Sequence, residues 1–289
     1  MPPKKNNYTF KGILDTDKYS YKISIDTSQR QINGEVVIYS RYFNFGIYTS
    51  DTGEKKSCVD IYVVYPALKL EDNFANYTLA KLITTHHNEK CSVDEKLERG
   101  DGTRHMINTA MYFVLKMCPF VEGFEINDAS TRNCDNNTII TLSYFSIVQY
   151  NKTWYEKNFN AFIDDAKKRE NYTNIINKLK NNELPHWDTF LVQYLRGVNK
   201  DIIEAIYDIY KTSKTYNNLF QGICKLGASM ACILIQPWID KLMLTSSLNN
   251  YILFTQWIIP KDSIKTIKLL NYKKDFYGRV ENYRENEHF

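Results

Sequence analysis

The chain has 289 residues, of which 43% are hydrophobic, so it can bury a full core, and overall disorder is excluded. A formal net charge of +4 is too mild to mark a nucleic-acid-binding protein by itself. The longest apolar run, residues 227–235, falls well short of the about 20 residues a bilayer-crossing helix needs, which predicts no transmembrane segment.

Residues 1–7 carry charge without a following apolar stretch, which predicts a short flexible tail and neither a signal peptide nor an import sequence. The next stretches, 21–25, 35–42 and 59–65, are rich in β-branched and aromatic residues. Turn pieces such as Asn33-Gly34 and Asp51-Thr52-Gly53 separate them, so an antiparallel opening is expected. The six cysteines, Cys58, Cys91, Cys118, Cys134, Cys224 and Cys232, show no close pairing, and reduced thiols are the default for such a chain. His86, His87 and Cys91, with Cys58 in reach, form the one compact set of soft ligands. They lack the two close ligand pairs of a zinc site, so no metal is expected.

Residues 77–85 read as a strand, and a glycine turn follows it. Gly100 and Gly102 lack a Cβ, so the backbone can curl with its N–H groups inward and admit a ligand closely. Thr103 stands where it can cap a helix. In that helix Met106, Ile107, Ala110, Met111, Val114 and Leu115 recur at three- and four-residue spacing, and Pro119 marks its end. The partial positive charge of the helix start, with Arg99 and Arg104 beside it, suits a pyrophosphate. Arg99, Gly100, Asp101, Gly102, Thr103 and Arg104 are therefore the expected cofactor-binding residues. A glycine pair before an amphipathic helix also serves as an ordinary strand-to-helix connection, and both readings stand at this point.

Residues 121–126 read as a second strand. A polar stretch, 130–137, leads into a helix expected over 141–160, where Tyr144 and Val148, and again Tyr155 and Phe159, lie four residues apart, with seven residues from Val148 to Tyr155. From residue 161 onward helical patterns dominate and predict a bundle, so two domains are expected, 1–160 and 161–289. Tyr194, Tyr207, Tyr210, Trp238 and Trp257 give the second more aromatic surface than a simple lid needs, which predicts a protein partner through 161–289. Lys261, Lys265, Lys268, Lys273, Lys274 and Arg279 are interleaved with Tyr272, Phe276 and Tyr277. This cluster fits either a solvated face or a nucleic-acid surface.

The order strand, glycine turn, helix, strand over roughly residues 55–160 resembles the cofactor core of the GNAT family of N-acetyltransferases. There an Arg/Gln-x-x-Gly-x-Gly/Ala turn holds the pyrophosphate of acetyl-CoA. Here Leu97 stands in the leading position and Arg99 supplies a guanidinium two residues later. The resemblance implies an α/β or α+β fold, acetyl-CoA as cofactor, and transfer of acetyl to an amine. Tyr155, in Lys152-Thr153-Trp154-Tyr155-Glu156, matches the family's general acid, with Asn158 where glycine is usual. The base falls among Glu95, Glu98 and Asp128, which spacing does not separate. After this helix the family returns to two strands, where this chain reads as helical.

Three segments together are similar to a protein family of nucleocytoplasmic large DNA viruses. They are Arg-Gly-Asp-Gly-Thr-x-His-Met-Ile-x-Thr-Ala at 99–110, Asn-Asp-Ala-Ser at 127–130, and residues 152–156. That resemblance implies residence in the host cytoplasm, at the virus factory, or in the virion. A non-catalytic structural or adaptor protein, binding a host or viral macromolecule through a degenerate core and the helical region, is the rival to an enzyme.

Overall fold

A computed structural model describes residues 5–32, 35–66, 78–127, 131–133, 139–181, 184–226 and 256–270. The chain is a mixed α/β protein built on an eight-stranded sheet. Strands β1 (Lys5–Asp15), β2 (Ser20–Ile32) and β3 (Glu35–Phe45) form an antiparallel meander. Alternation explains them. Tyr21, Ile23 and Ile25 are buried on one face of β2, and Phe43 and Phe45 on the same face of β3, while Lys22 and Asp26 point outward. Thr16 closes the first turn, its hydroxyl accepting from the Tyr19 N–H at 3.0 Å.

A small hairpin, β4 (Tyr48–Thr49) and β5 (Lys55–Lys56), separates β3 from β6 (Val59–Val64), which pairs antiparallel with β3 and with β7 (Leu79–Thr85). Strand β8 (Gly123–Asn127) then lies parallel to β7, and α1 (Asp101–Met117) makes the crossover between them. Beyond β8 come β12 (Gln256–Pro260) and the two-residue β11 (Phe162–Ile163), giving the order β1-β2-β3-β6-β7-β8-β12-β11.

Helix α1 supplies much of the core that this sheet needs. Met106, Ile107, Ala110, Met111, Phe113, Val114 and Met117 are all buried, and the Phe113 ring meets Phe45 and Phe43 edge-on at 5.7 and 6.4 Å. The Asn108 side chain takes both backbone groups of Lys265, donating to its carbonyl at 2.8 Å and accepting from its N–H at 2.9 Å. Those bonds return residues 261–270 to α1. Gly123 is required where it stands, because a Cβ there would lie 2.9 Å from the Ile259 carbonyl oxygen.

By internal contacts the chain divides into one unit of 1–126 with 258–289 and a second of 127–257, whereas the sequence reading sets a boundary at 160. The second unit holds a two-stranded pair, β9 (Thr131–Asn133) and β10 (Ile139–Thr141), followed by α2 (Leu142–Tyr150) and α3 (Trp154–Phe159). Helices α4 (Ala166–Asn181), α5 (Trp187–Tyr194), α6 (Lys200–Thr212) and α7 (Tyr216–Lys225) complete it. Ile206, Leu219, Phe220 and Ile223 are buried, and Gly222 lets α7 close on α6, since a Cβ there would overlap Ile209.

Several expectations are corrected. Residues 5–7 belong to β1 and not to a flexible tail. The helix expected over 141–160 is two helices. Asn151, at φ 57°, ends the first, and Thr153 starts the second by exchanging hydrogen bonds with Glu156. The helical reading from 161 misses β11 and β12. Trp257-Ile258-Ile259 is the β-branched and aromatic signal it passed over. Residues 227–255, with the apolar run, Cys232 and Trp238, lie outside the described residues, as do Lys273, Lys274 and Arg279. Among the described residues no helix is long and apolar enough to cross a membrane.

Phe113→Ala removes the ring that α1 packs on β3. It should lower the unfolding free energy by about 3–5 kcal/mol in urea titrations, against little change for the exposed Lys116→Ala.

Candidate functional site

The segment between β7 and α1 is held from both sides. Cys58, next to the start of β6, is disulfide-bonded to Cys91. This corrects the expectation of reduced thiols and uses up the sulfur ligands of the His86, His87, Cys91 set. Their sequence separation of 33 is what hid the pairing. Among the described residues no group of three or more His, Cys, Asp or Glu side chains is arranged to hold a metal ion. The His86 N–H donates to the Cys58 carbonyl at 2.9 Å, and its Nε2 meets the Tyr48 hydroxyl at 3.1 Å. The Asn88 side chain accepts from the Lys90 N–H at 2.9 Å, closing a tight turn that ends at Cys91.

Next, Leu97 enters the core. It is 1% exposed, and its N–H donates to the Glu89 carbonyl at 3.0 Å. The residue at the position of the family's leading Arg or Gln is thus a hydrophobic anchor. Gly100 is the N-cap of α1, with φ 83° and open space where a Cβ would be; only glycine takes this backbone without strain. Gly102 is different. It is buried, and a Cβ would press on Leu97 and the Tyr19 hydroxyl, both at 3.2 Å. Its smallness serves close packing and not ligand approach.

Thr103 is not the cap expected of it. It sits in the first turn of α1, its N–H donating to the Glu98 carbonyl at 3.2 Å and its Oγ1 hydrogen-bonded to His87 Nδ1 at 2.8 Å. Asp101 and Arg104 form an ion pair at 3.0 Å, so both are engaged with each other. Arg99 is exposed and belongs to none of the ion pairs among the described residues. A groove of about 750 Å³ lies over this turn, lined among others by His87, Asn88, Lys96, Glu98 and Arg99. Lys96 is paired with Glu89 at 3.1 Å and Glu98 with Lys18 at 3.8 Å, all on the surface, where such pairs contribute little.

Burial, then the Arg99 charge, lowers the His87 pKa, so the ring is neutral near pH 7 and presents a donor or acceptor in place of a charge. His105, further along α1, is likewise lowered, first by burial. Its Nδ1 meets the Tyr21 hydroxyl at 2.9 Å, and its ring stands edge-on to Tyr19 at 5.5 Å. Sequence reasoning took His87 only as a soft ligand and missed its place at this groove, and it missed the Tyr19, Tyr21, His105 group. The signal for the latter was His105 at the second turn of a helix whose other apolar positions face the sheet.

Tyr155, in the second unit, is 3% exposed and packs against the Trp154 and Phe159 rings at 5.0 and 6.3 Å. Glu156 beside it caps α3 and accepts from the Tyr172 hydroxyl; burial pushes its carboxyl pKa upward. Tyr172 in turn stands perpendicular to Trp257 at 5.3 Å. Asp128 and Cys134 lie outside the described residues, and Glu95 is exposed. The structure therefore gathers Arg99 and Glu98 at one groove, with His87 added, and Gly100 follows Arg99 as the N-cap of α1. No protein-family model matches the chain, and no curated protein matches it in sequence.

Two outcomes follow from this geometry. Breaking the Cys58–Cys91 bond, which closes a loop with a sequence separation of 33, should lower stability by about 3–4 kcal/mol, read as the difference between oxidised and dithiothreitol-treated protein. For His86, His87 and His105 the folded pKa lies below the unfolded value of about 6.5, so the unfolded chain binds protons first as pH falls. Their contribution is complete above about pH 6.5 and is lost below it. The urea midpoint should fall from pH 7 to pH 5, and fall less in a His86→Gln, His105→Gln variant.

Proposed function

We propose that the chain is an acetyltransferase-like protein that binds acetyl-CoA at the turn before α1 and transfers the acetyl group to an amine. One observation carries the reading. Between the end of β7, which pairs antiparallel with β6 and parallel with β8, and the glycine-capped start of α1 lies a groove lined by Arg99, which forms no ion pair among the described residues. In this reading Arg99 and the backbone of Gly100 and Asp101 receive the pyrophosphate, with Arg104 at the rim, while Gly102 and Thr103, expected from the sequence to bind it too, hold the turn from inside. The strands β12 and β11 beside β8 support it too, since the resemblance implies two further strands after the helix that carries Tyr155.

In the transfer the amine nitrogen attacks the thioester carbonyl, the carbon–sulfur bond breaks, a base takes the amine proton and the departing thiolate gains one. Tyr155 is proposed as the proton donor, with Glu98 or Asp128 as base. The viral origin implied by the motif resemblance belongs to the same proposal. Of its two locations the Cys58–Cys91 bond favours the virion, because cytosolic thiols are kept reduced.

Calorimetry with CoA tests binding. Arg99→Ala should weaken CoA about 10- to 100-fold, the worth of one charge-assisted phosphate contact, without changing the melting temperature. Absence of heat with the unmutated protein at millimolar CoA would end the proposal. Tyr155→Phe should cost about a hundred- to ten-thousand-fold in turnover on an amine found by screening.

The adaptor reading has an observation of its own. Trp187 stacks among Phe190, Tyr207 and Tyr210 with centroids 4.7–5.8 Å apart, while Tyr207 is 40% exposed and nearby in sequence Val192 is 70% exposed. Of the five aromatics expected to form a partner surface, Trp257 is buried and Tyr210 is half-buried, its hydroxyl bonded to the Pro185 carbonyl. Tyr207 is open, and the side chains of Tyr194 and Trp238 lie outside the described residues.

A further inference from the structure

The outer face of β1 to β3, turned away from α1, holds a second site. Lys11 and Ile13 on β1 lie opposite Ser24 and Lys22 on β2, and Ser24 lies opposite Asn44 on β3, so these side chains share that face. The β4–β5 hairpin walls it, pairing Lys56 with Tyr48 and Lys55 with Thr49. Between floor and wall runs a groove of about 610 Å³.

Lys11, Lys22, Lys55 and Lys56 line this groove, and no carboxylate does. All four are exposed. Among the described residues only Lys56 has an acidic partner, Glu54 at 3.5 Å, so three ammonium groups stand unneutralised in one concavity. Like charges held together this way focus the field and call for a ligand with several negative charges. The cations are lysines without an arginine. They act as hydrated point charges that neutralise phosphate oxygens without a fixed bidentate geometry, and a phosphodiester chain presents such charges at regular intervals. Ile13, 44% exposed, and the half-buried Tyr48 ring add the apolar surface on which bases lie.

We propose that this groove binds single-stranded nucleic acid through its phosphate backbone, without selecting base sequence. This site is separate from the turn before α1, and each can fail alone. The test is fluorescence anisotropy with a labelled oligothymidylate of about twelve nucleotides, a length within the range of known single-strand sites. With three or four phosphates neutralised, affinity should fall roughly 20- to 50-fold between 50 and 200 mM salt. The triple variant Lys11→Gln, Lys22→Gln, Lys55→Gln should bind at least about tenfold more weakly at 50 mM salt with a flatter salt dependence. The same three positions changed to Arg should keep both affinity and slope, and Arg99→Ala should bind as the unmutated protein does. The proposal is overturned by absence of binding at 50 mM salt, by a Gln variant that binds undiminished while melting normally, or by loss of binding in Arg99→Ala. An oligoglutamate peptide that displaces the oligonucleotide with equal potency would also overturn it, assigning the groove to an acidic protein.

Discussion

Parallel pairing of β7 with β8 governs the rest of the first unit. Two parallel neighbours cannot be joined by a tight turn, so the chain must leave the sheet, cross it and return. Everything between Thr85 and Gly123 exists to do that. The crossing element must cover apolar sheet surface, which is why α1 buries Met106, Ala110, Phe113 and Val114 on one side and Met111 and Met117 near them. It must also begin beyond the end of β7, where open sheets of this kind leave room for ligands. Fold and candidate site are therefore two results of one pairing.

Packing and binding compete within the turn. Leu97 and Gly102 are committed inward, to one another and to Tyr19, and Thr103 is tied to His87. What remains outward is Gly100, with its left-handed backbone, and Arg99. A binding role thus rests on fewer groups than the motif spells out. The same division holds around α3, where Glu156 joins its capping exchange to a buried hydrogen bond from Tyr172 and Tyr155 is enclosed by aromatic rings.

Local patterns carried the strands β2, β3, β6, β7 and β8 and the helix α1, because each has a clean period of two or of about 3.6 and a clear stop such as Pro119. What failed to show was long-range or brief. The Cys58–Cys91 bond depends on β6 and β7 pairing in register, which no local window contains. Strand β11 is two residues long and β12 follows a stretch whose sequence pattern reads as helical, so periodicity gave them no weight. At the turn, residue types pointed to Arg99, Gly100 and the helix start. They were silent on the inward role of Leu97 and Gly102, which is set by Tyr19 arriving from the first hairpin.

The disulfide also shapes the order in which the chain can fold. Val59 pairs with Thr85, so Cys58 and the segment after β7 lie at the open end of the β6–β7 hairpin, opposite the stretch that connects the two strands. A cross-link there makes the pair a closed ring even in the unfolded chain. Its loop-closure entropy is removed beforehand, and the antiparallel half of the sheet is left with contacts of short effective separation. Docking β8 beside β7, after α1 has formed, is then the most non-local step left to the first unit's crossover, and its rate should be nearly the same whether or not β6 and β7 had to find each other.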